Sequence, residues 1–181
     1  MQTPQHTRYD GVAILLHWLV ALIIIGNFAL GLYMHELKLT PWKLQLYSWH
    51  KWAGVTVFLL AALRILWRLT HRPPALPDTM PEWQKAVAHG GHHLLYMLMF
   101  AVPVTGWLMS SALGVQTVYF GLLPIPDLLG KNKELGEALK VVHEFCNFGM
   151  AAIVFGHAAA ALKHHYKDHD GILSRMAPWV R

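Results

Sequence analysis

Cysteine and charge are what this chain has least of. One cysteine, Cys146, stands among 181 residues. An internal disulfide is therefore excluded, and with no CxxC pair there is no thiolate framework for zinc. Only 14% of residues are Asp, Glu, Lys or Arg, against roughly 25% in an ordinary soluble domain. That scarcity, beside a 55% hydrophobic content, excludes disorder, which needs many charges and few apolar groups. The net charge of +5 is carried by scattered basic residues, a poor match to a nucleic-acid surface. What the chain has in excess is histidine, thirteen in all, with eight tryptophans. Histidine is a metal ligand and proton carrier, and it is costly in lipid.

Four stretches are long and apolar enough to cross the ~30 Å hydrocarbon core, which takes about 20 helical residues. They run over approximately 12–32, 49–69, 88–111 and 139–166. The first is too long for a signal peptide and carries His17 and Asn27 without a small-residue cleavage site after it. Pro103 is expected to kink the third. The segment from Thr70 to Pro81 holds four prolines and reads as an irregular linker; Leu113 to Ala138 reads as a mixed, turn-rich loop in which GKNKELGEAL is a possible short polar helix. The whole of 1–181 is expected to be one all-α, integral-membrane four-helix bundle. With both termini cytoplasmic, nine Lys and Arg lie inside (Arg8, Arg64, Arg68, Arg72, Lys85, Lys163, Lys167, Arg175, Arg181) and six outside (Lys38, Lys43, Lys51, Lys131, Lys133, Lys140). The positive-inside bias favours that orientation.

Antiparallel spans convert sequence position into depth. His17 and His157 fall at the inner level, His50 and His143 at the outer. His143 and His157 are 14 residues apart, about 21 Å along a helix and only about 40° apart around it. Each level thus offers two opposed imidazoles with no thiolate cluster or carboxylate pair beside them. Two haems fit this donor set better than bare zinc, which wants four protein ligands. Polar packing histidines, or histidines that bind a metal ion or protons without redox chemistry, are the alternatives. Small residues one turn away (Ala13 and Ala21 about His17, Gly54 after His50, Ala161 after His157) would leave room for a flat macrocycle, although small residues also pack membrane helices. His89, His92, His93 and Tyr96 form one helical stripe at the inner side. His89, His92, Tyr96 and His164 are candidate contacts for a quinone or a haem propionate. His93 and His165 read as interfacial caps, and His6, His35, His71 and His169 as exposed. Arg64, 14 residues after His50, sits deep enough to need a partner; a haem propionate or a quinone carbonyl would serve, with snorkelling to the headgroups as the alternative.

The segments HWLVALIIIGNFALGLYM, WHKWAG through RILWRL, AHGGHHLLYMLMFAVPVTGWLM and VVHEFCNFGMAAIVFGHAAAALKHHY, in this order, resemble the bacterial cytochrome b561 family. The resemblance covers nearly the whole chain and is nearest to the short members that oxidise superoxide. It implies a bundle holding two b-type haems in the bacterial inner membrane. By position it implies that His17 and His157 are the axial ligands of the inner haem iron and His50 and His143 those of the outer. It further implies superoxide as donor, steered by basic outer residues whose net charge is only about +1, and ubiquinone as acceptor. The competing expectation is an electron-carrier subunit that takes electrons from a periplasmic dehydrogenase partner. Bis-histidine iron has no open position, so either role is outer-sphere electron transfer.

Overall fold

The computed structural model describes residues 8–180; His6 and Arg181 lie outside them. Four long helices dominate: α1 (Gly11–Glu36), α2 (Pro41–Thr70), α3 (Glu82–Ala112) and α4 (Lys133–Lys163). All four are long and apolar enough to cross a membrane, so the chain is a multi-pass membrane protein. Helices begin where the sequence supplies caps. Asp10 accepts the Ala13 N–H at the start of α1, Thr40 accepts the Lys43 N–H before Pro41 of α2, and Asn132 accepts the Leu135 N–H ahead of α4. α2 and α4 each start earlier than the apolar runs at 49 and 139, because polar first turns extend them beyond the hydrocarbon. The polar stretch GKNKELGEAL is accordingly part of α4 from Lys133 onward, not a separate helix. α3 runs through Pro103 without interruption.

The Leu113–Ala138 connection contains a hairpin that the alternation of its residues did not announce. Strand β1 (Thr117–Tyr119) pairs antiparallel with β2 (Leu123–Ile125), Val118 opposite Pro124. Phe120 and Gly121 turn the chain with positive φ, and Phe120 packs its ring on Trp52. Two indoles hold the hairpin: Trp52 donates to the Val118 carbonyl at 2.7 Å and Trp107 to the Pro126 carbonyl at 3.0 Å. At the other end α4 passes into a π-helical turn (His164–Asp168) and a short helix α5 (Ile172–Met176). This segment is tied back under the bundle, with Trp18 donating to the Met176 carbonyl and Arg175 to that of Ala75.

Packing is uneven. The buried cluster of Val20, Ala61 and Met99, with Ile24, Leu60, Tyr96 and Phe100 around it, joins α1, α2 and α3. α4 packs along α3 but, among the described residues, makes at most sparse close backbone contact with α1 and α2. At backbone level this leaves a slot between α4 and the α1–α2 pair, which ring side chains bridge: Phe28 to Phe148 at 5.7 Å, and two histidine pairs.

Asp10 also accepts from the Trp67 indole at 3.1 Å, joining the first turn of α1 to the last turn of α2. Burial alone would raise the Asp10 carboxyl, but hydrogen bonds from the Ala13 N–H, the Trp67 indole and the Val12 N–H, with His71 nearby, leave it below its ordinary value. Its stabilisation is therefore present above the unfolded carboxylate pKa and lost as pH falls through the depressed one. Asp10→Ala is expected to cost about 1 kcal/mol, read as a lower thermal midpoint of the detergent-solubilised protein at pH 7. The difference from wild type should vanish on acidification.

Candidate functional site

The two histidine levels expected from spacing are both formed. At the end of the slot where α2 and α4 begin, named outer after the orientation expected from charge, the rings of His50 and His143 lie 6.2 Å apart, centre to centre. At the inner end, where α1 begins and α4 ends, the rings of His17 and His157 lie 6.1 Å apart. All four are half-buried. The helices run in register to achieve this. Fourteen residues separate His50 from Arg64 on α2 and His143 from His157 on the parallel α4, so Arg64 arrives at the level of His157.

The surroundings of the pairs differ. The Nδ1 of His143 lies 3.0 Å from the Val102 carbonyl and 3.1 Å from Thr105 Oγ1. The threonine hydroxyl itself donates to the Val102 carbonyl at 2.9 Å. Nδ1 therefore meets acceptors and carries the hydrogen, which leaves the Nε2 lone pair free. His50 has a buried Nδ1 with no hydrogen-bond partner, and Asn27 donates to its backbone carbonyl from α1. Lys51, next along α2, donates to the Val115 carbonyl at 2.9 Å.

At the inner level Arg64 Nη1 stands 3.0 Å from His17 Nδ1, while its Nε donates to the Tyr96 hydroxyl at 3.1 Å. A guanidinium has only donors, so in this state Nδ1 of His17 is the acceptor. His92 joins the cluster, its ring 5.4 Å from that of His157. Of the stripe expected on α3, His92 and Tyr96 thus reach the site. His89 is exposed, and its carbonyl receives the His93 ring. His164 is turned away into a carboxylate cluster, 2.6 Å from Asp170 and 3.1 Å from Asp168. The π-helical turn and the left-handed His169 bring Asp170 back to it.

Glycines on neighbouring helices back the outer rings, while Gly54 borders open space, as room for a flat macrocycle requires. A Cβ built on Gly54 meets nothing within 4 Å. Built on Gly31 of α1 it would come within 3.4 Å of His50 Cε1, and on Gly106 of α3 within 3.0 Å of His143 Cε1. Each outer histidine is backed by a glycine on a neighbouring helix. Sequence reasoning missed both because the contact runs between helices, though Gly106 sits in the PVTG run that also supplies Thr105.

A family model described as prokaryotic cytochrome b561 matches residues 8–179. The chain is similar to cytochrome b561 homolog 2 of Escherichia coli (strain K12), 34% identical over 176 residues covering 96% of this chain and 92% of the relative. It is also similar to the probable superoxide oxidase CybB of Yersinia pestis, 33% identical over 186 residues covering 97% and 99%. Cytochrome b561 homolog 1 of Escherichia coli (strain K12) is 28% identical over 179 residues, covering 94% and 97%.

Cytochromes of this family bind b-type haem, and the residues present fit such a group. A metal between two imidazole nitrogens at about 2.0 Å each, with each nitrogen about 1.1 Å from its ring centre, sets the centres roughly 6 Å apart. Both observed spacings agree. The backbone spacing beside α4 leaves side chains alone between the helices there, the glycines supply clearance behind the outer rings, and the His50 Nδ1 is a buried polar atom without a hydrogen-bond partner. His143 already has the tautomer that ligation through Nε2 requires. His17 would need Arg64 to release its Nδ1. Gly106→Val should drive a side chain into the His143 ring and lower the haem content of the purified protein, measured by pyridine haemochrome.

Proposed function

The chain belongs to the prokaryotic cytochrome b561 family, and from that membership we propose that it is a di-haem membrane cytochrome that oxidises superoxide and reduces ubiquinone. His50 and His143 would hold the iron of the outer haem, and His17 and His157 that of the inner. The observation that carries the assignment is the repeated ring spacing at two levels of one slot. His92, at 5.4 Å from His157, is closer than an intervening iron allows, so it is assigned as a neighbour of the inner site rather than a ligand. When bound, haem supplies one-electron carriage at each level, some 21 Å apart along α4.

The remaining roles belong to the chain's own side chains. Arg64, once off His17, takes a haem propionate or a quinone carbonyl as its new acceptor, and the Tyr96 hydroxyl holds it at that level. Lys51 is the outer lysine closest in sequence to a proposed ligand, and the Lys131 stem packs over Gly114 in the adjoining turn. Together they offer a small anion two cations at this end, partly offset by Asp127 beside Lys51. Two superoxide anions each lose one electron and leave as dioxygen; ubiquinone takes both electrons and two protons and leaves as ubiquinol. The name of the Yersinia pestis relative supports superoxide as donor. The excess of Lys and Arg at the end where α1 begins supports placement in the bacterial inner membrane with that end cytoplasmic.

His50→Ala should remove one haem per chain and spare the other; loss of neither, by pyridine haemochrome, refutes the pairing. In stopped-flow, superoxide should decay faster with the purified protein and a short-chain ubiquinone than by spontaneous dismutation, and an unchanged decay refutes the activity. Lys51→Gln should slow that decay a few-fold at low ionic strength and flatten its salt dependence.

A further inference from the structure

The two levels hold their histidines by opposite chemistry, and this bears on the direction of electron flow. At the outer level the His143 Nδ1–H faces two acceptors, the Val102 carbonyl at 3.0 Å and Thr105 Oγ1 at 3.1 Å. A metal-bound imidazole whose other nitrogen donates to an oxygen is the more basic ligand, and it favours the oxidised metal. The Gly106 clearance allows this fit; a Cβ there would stand 3.0 Å from the ring. Formal charges near this level offset one another, with Lys51 following His50 and Glu144 following His143.

At the inner level the nearest charged group is a cation. Arg64 Nη1 lies 3.0 Å from His17 Nδ1 in this state, and its bond to Tyr96 keeps the guanidinium at this level once it leaves the ring. Arg68 follows one turn along α2. The nearest carboxylate on α1, Asp10, is engaged with Trp67 seven residues away. The inner pair has no backbone or hydroxyl acceptor on either ring among the contacts described for His17 and His157. A positive charge beside a metal centre favours its reduced form.

We propose that these surroundings build a potential step into the bundle: Val102 and Thr105 hold the His50–His143 centre at the lower potential, Arg64 holds the His17–His157 centre at the higher, and electrons entering outside run inward. The inference rests on the di-haem reading. Thr105 is a positioning residue, acting through His143, and Arg64 acts by its charge.

The test is a spectroelectrochemical titration of the purified holoprotein at fixed pH. Wild type is expected to titrate in two waves. Thr105→Val, which removes one acceptor from His143, should raise the lower wave alone, and Thr105→Ser should restore it. Arg64→Gln should lower the upper wave alone. Each of these can be read independently, so failure of one variant to assemble leaves the other decisive. Two coincident wild-type waves overturn the inference, as does a Thr105→Val shift in the upper wave or an Arg64→Gln shift in the lower one. A purified protein without two b-type haems instead overturns the cofactor reading itself, a distinct result visible in the same spectra.

Discussion

A buried imidazole inside a membrane is costly without a partner, and the fold turns on how it brings four of them together in two pairs. Leaving a polar ring unsatisfied in hydrocarbon costs several kcal/mol. The bundle does not meet that cost by packing α4 tightly against every neighbour. α1, α2 and α3 share the buried cluster around Val20, Ala61 and Met99, while α4 leans on α3 and leaves a slot toward the other two. The histidine pairs sit in that slot. Everything that fixes helix height therefore matters to the site: the Asp10–Trp67 bond sets α1 against α2 at one end, and Asn27 on the His50 carbonyl sets them at the other.

Much of this was legible in the sequence because depth is encoded by counting. A 14-residue interval on two spans puts a histidine at each level of α4, and a histidine and an arginine at the two levels of α2. Apolar run length located the spans, although their ends lay further out, since length in hydrocarbon says nothing of polar first turns. What counting cannot supply is rotation between helices. Gly31 and Gly106 back the outer histidines from other helices, whereas Gly54, on the same helix one turn from His50, faces open space. His164 has the right depth for a site residue, yet the π-helical turn and the returning Asp170 claim it. The hairpin escaped notice because its strands are three residues long, one contains proline, and two indoles from distant helices hold it.

The arrangement suits carriage of electrons more than binding of substrate at a metal. Both ring pairs are already opposed at about the span that a metal between two imidazole nitrogens requires. A metal held in that way would have no open position, so under the proposed reading electrons would enter and leave at the edge of the bound group rather than at the metal. The outer end presents Lys51 and Lys131 at the Gly114–Val115 turn, and the inner end presents Arg64, Tyr96 and His92. Those two faces are chemically distinct, as a one-way path across a bilayer demands. The apolar composition and low charge of the chain are consequences of the same plan, since nearly all of the protein is span.

In the proposed reading both histidine pairs hold iron between their rings. Low-temperature electron paramagnetic resonance of the oxidised, purified protein tests it most directly. Two low-spin ferric haem signals of equal weight, with no high-spin component, are expected. A dominant high-spin signal, which marks iron with an open or weakly held axial position, or a single low-spin species accounting for all the iron at one per chain, would contradict it.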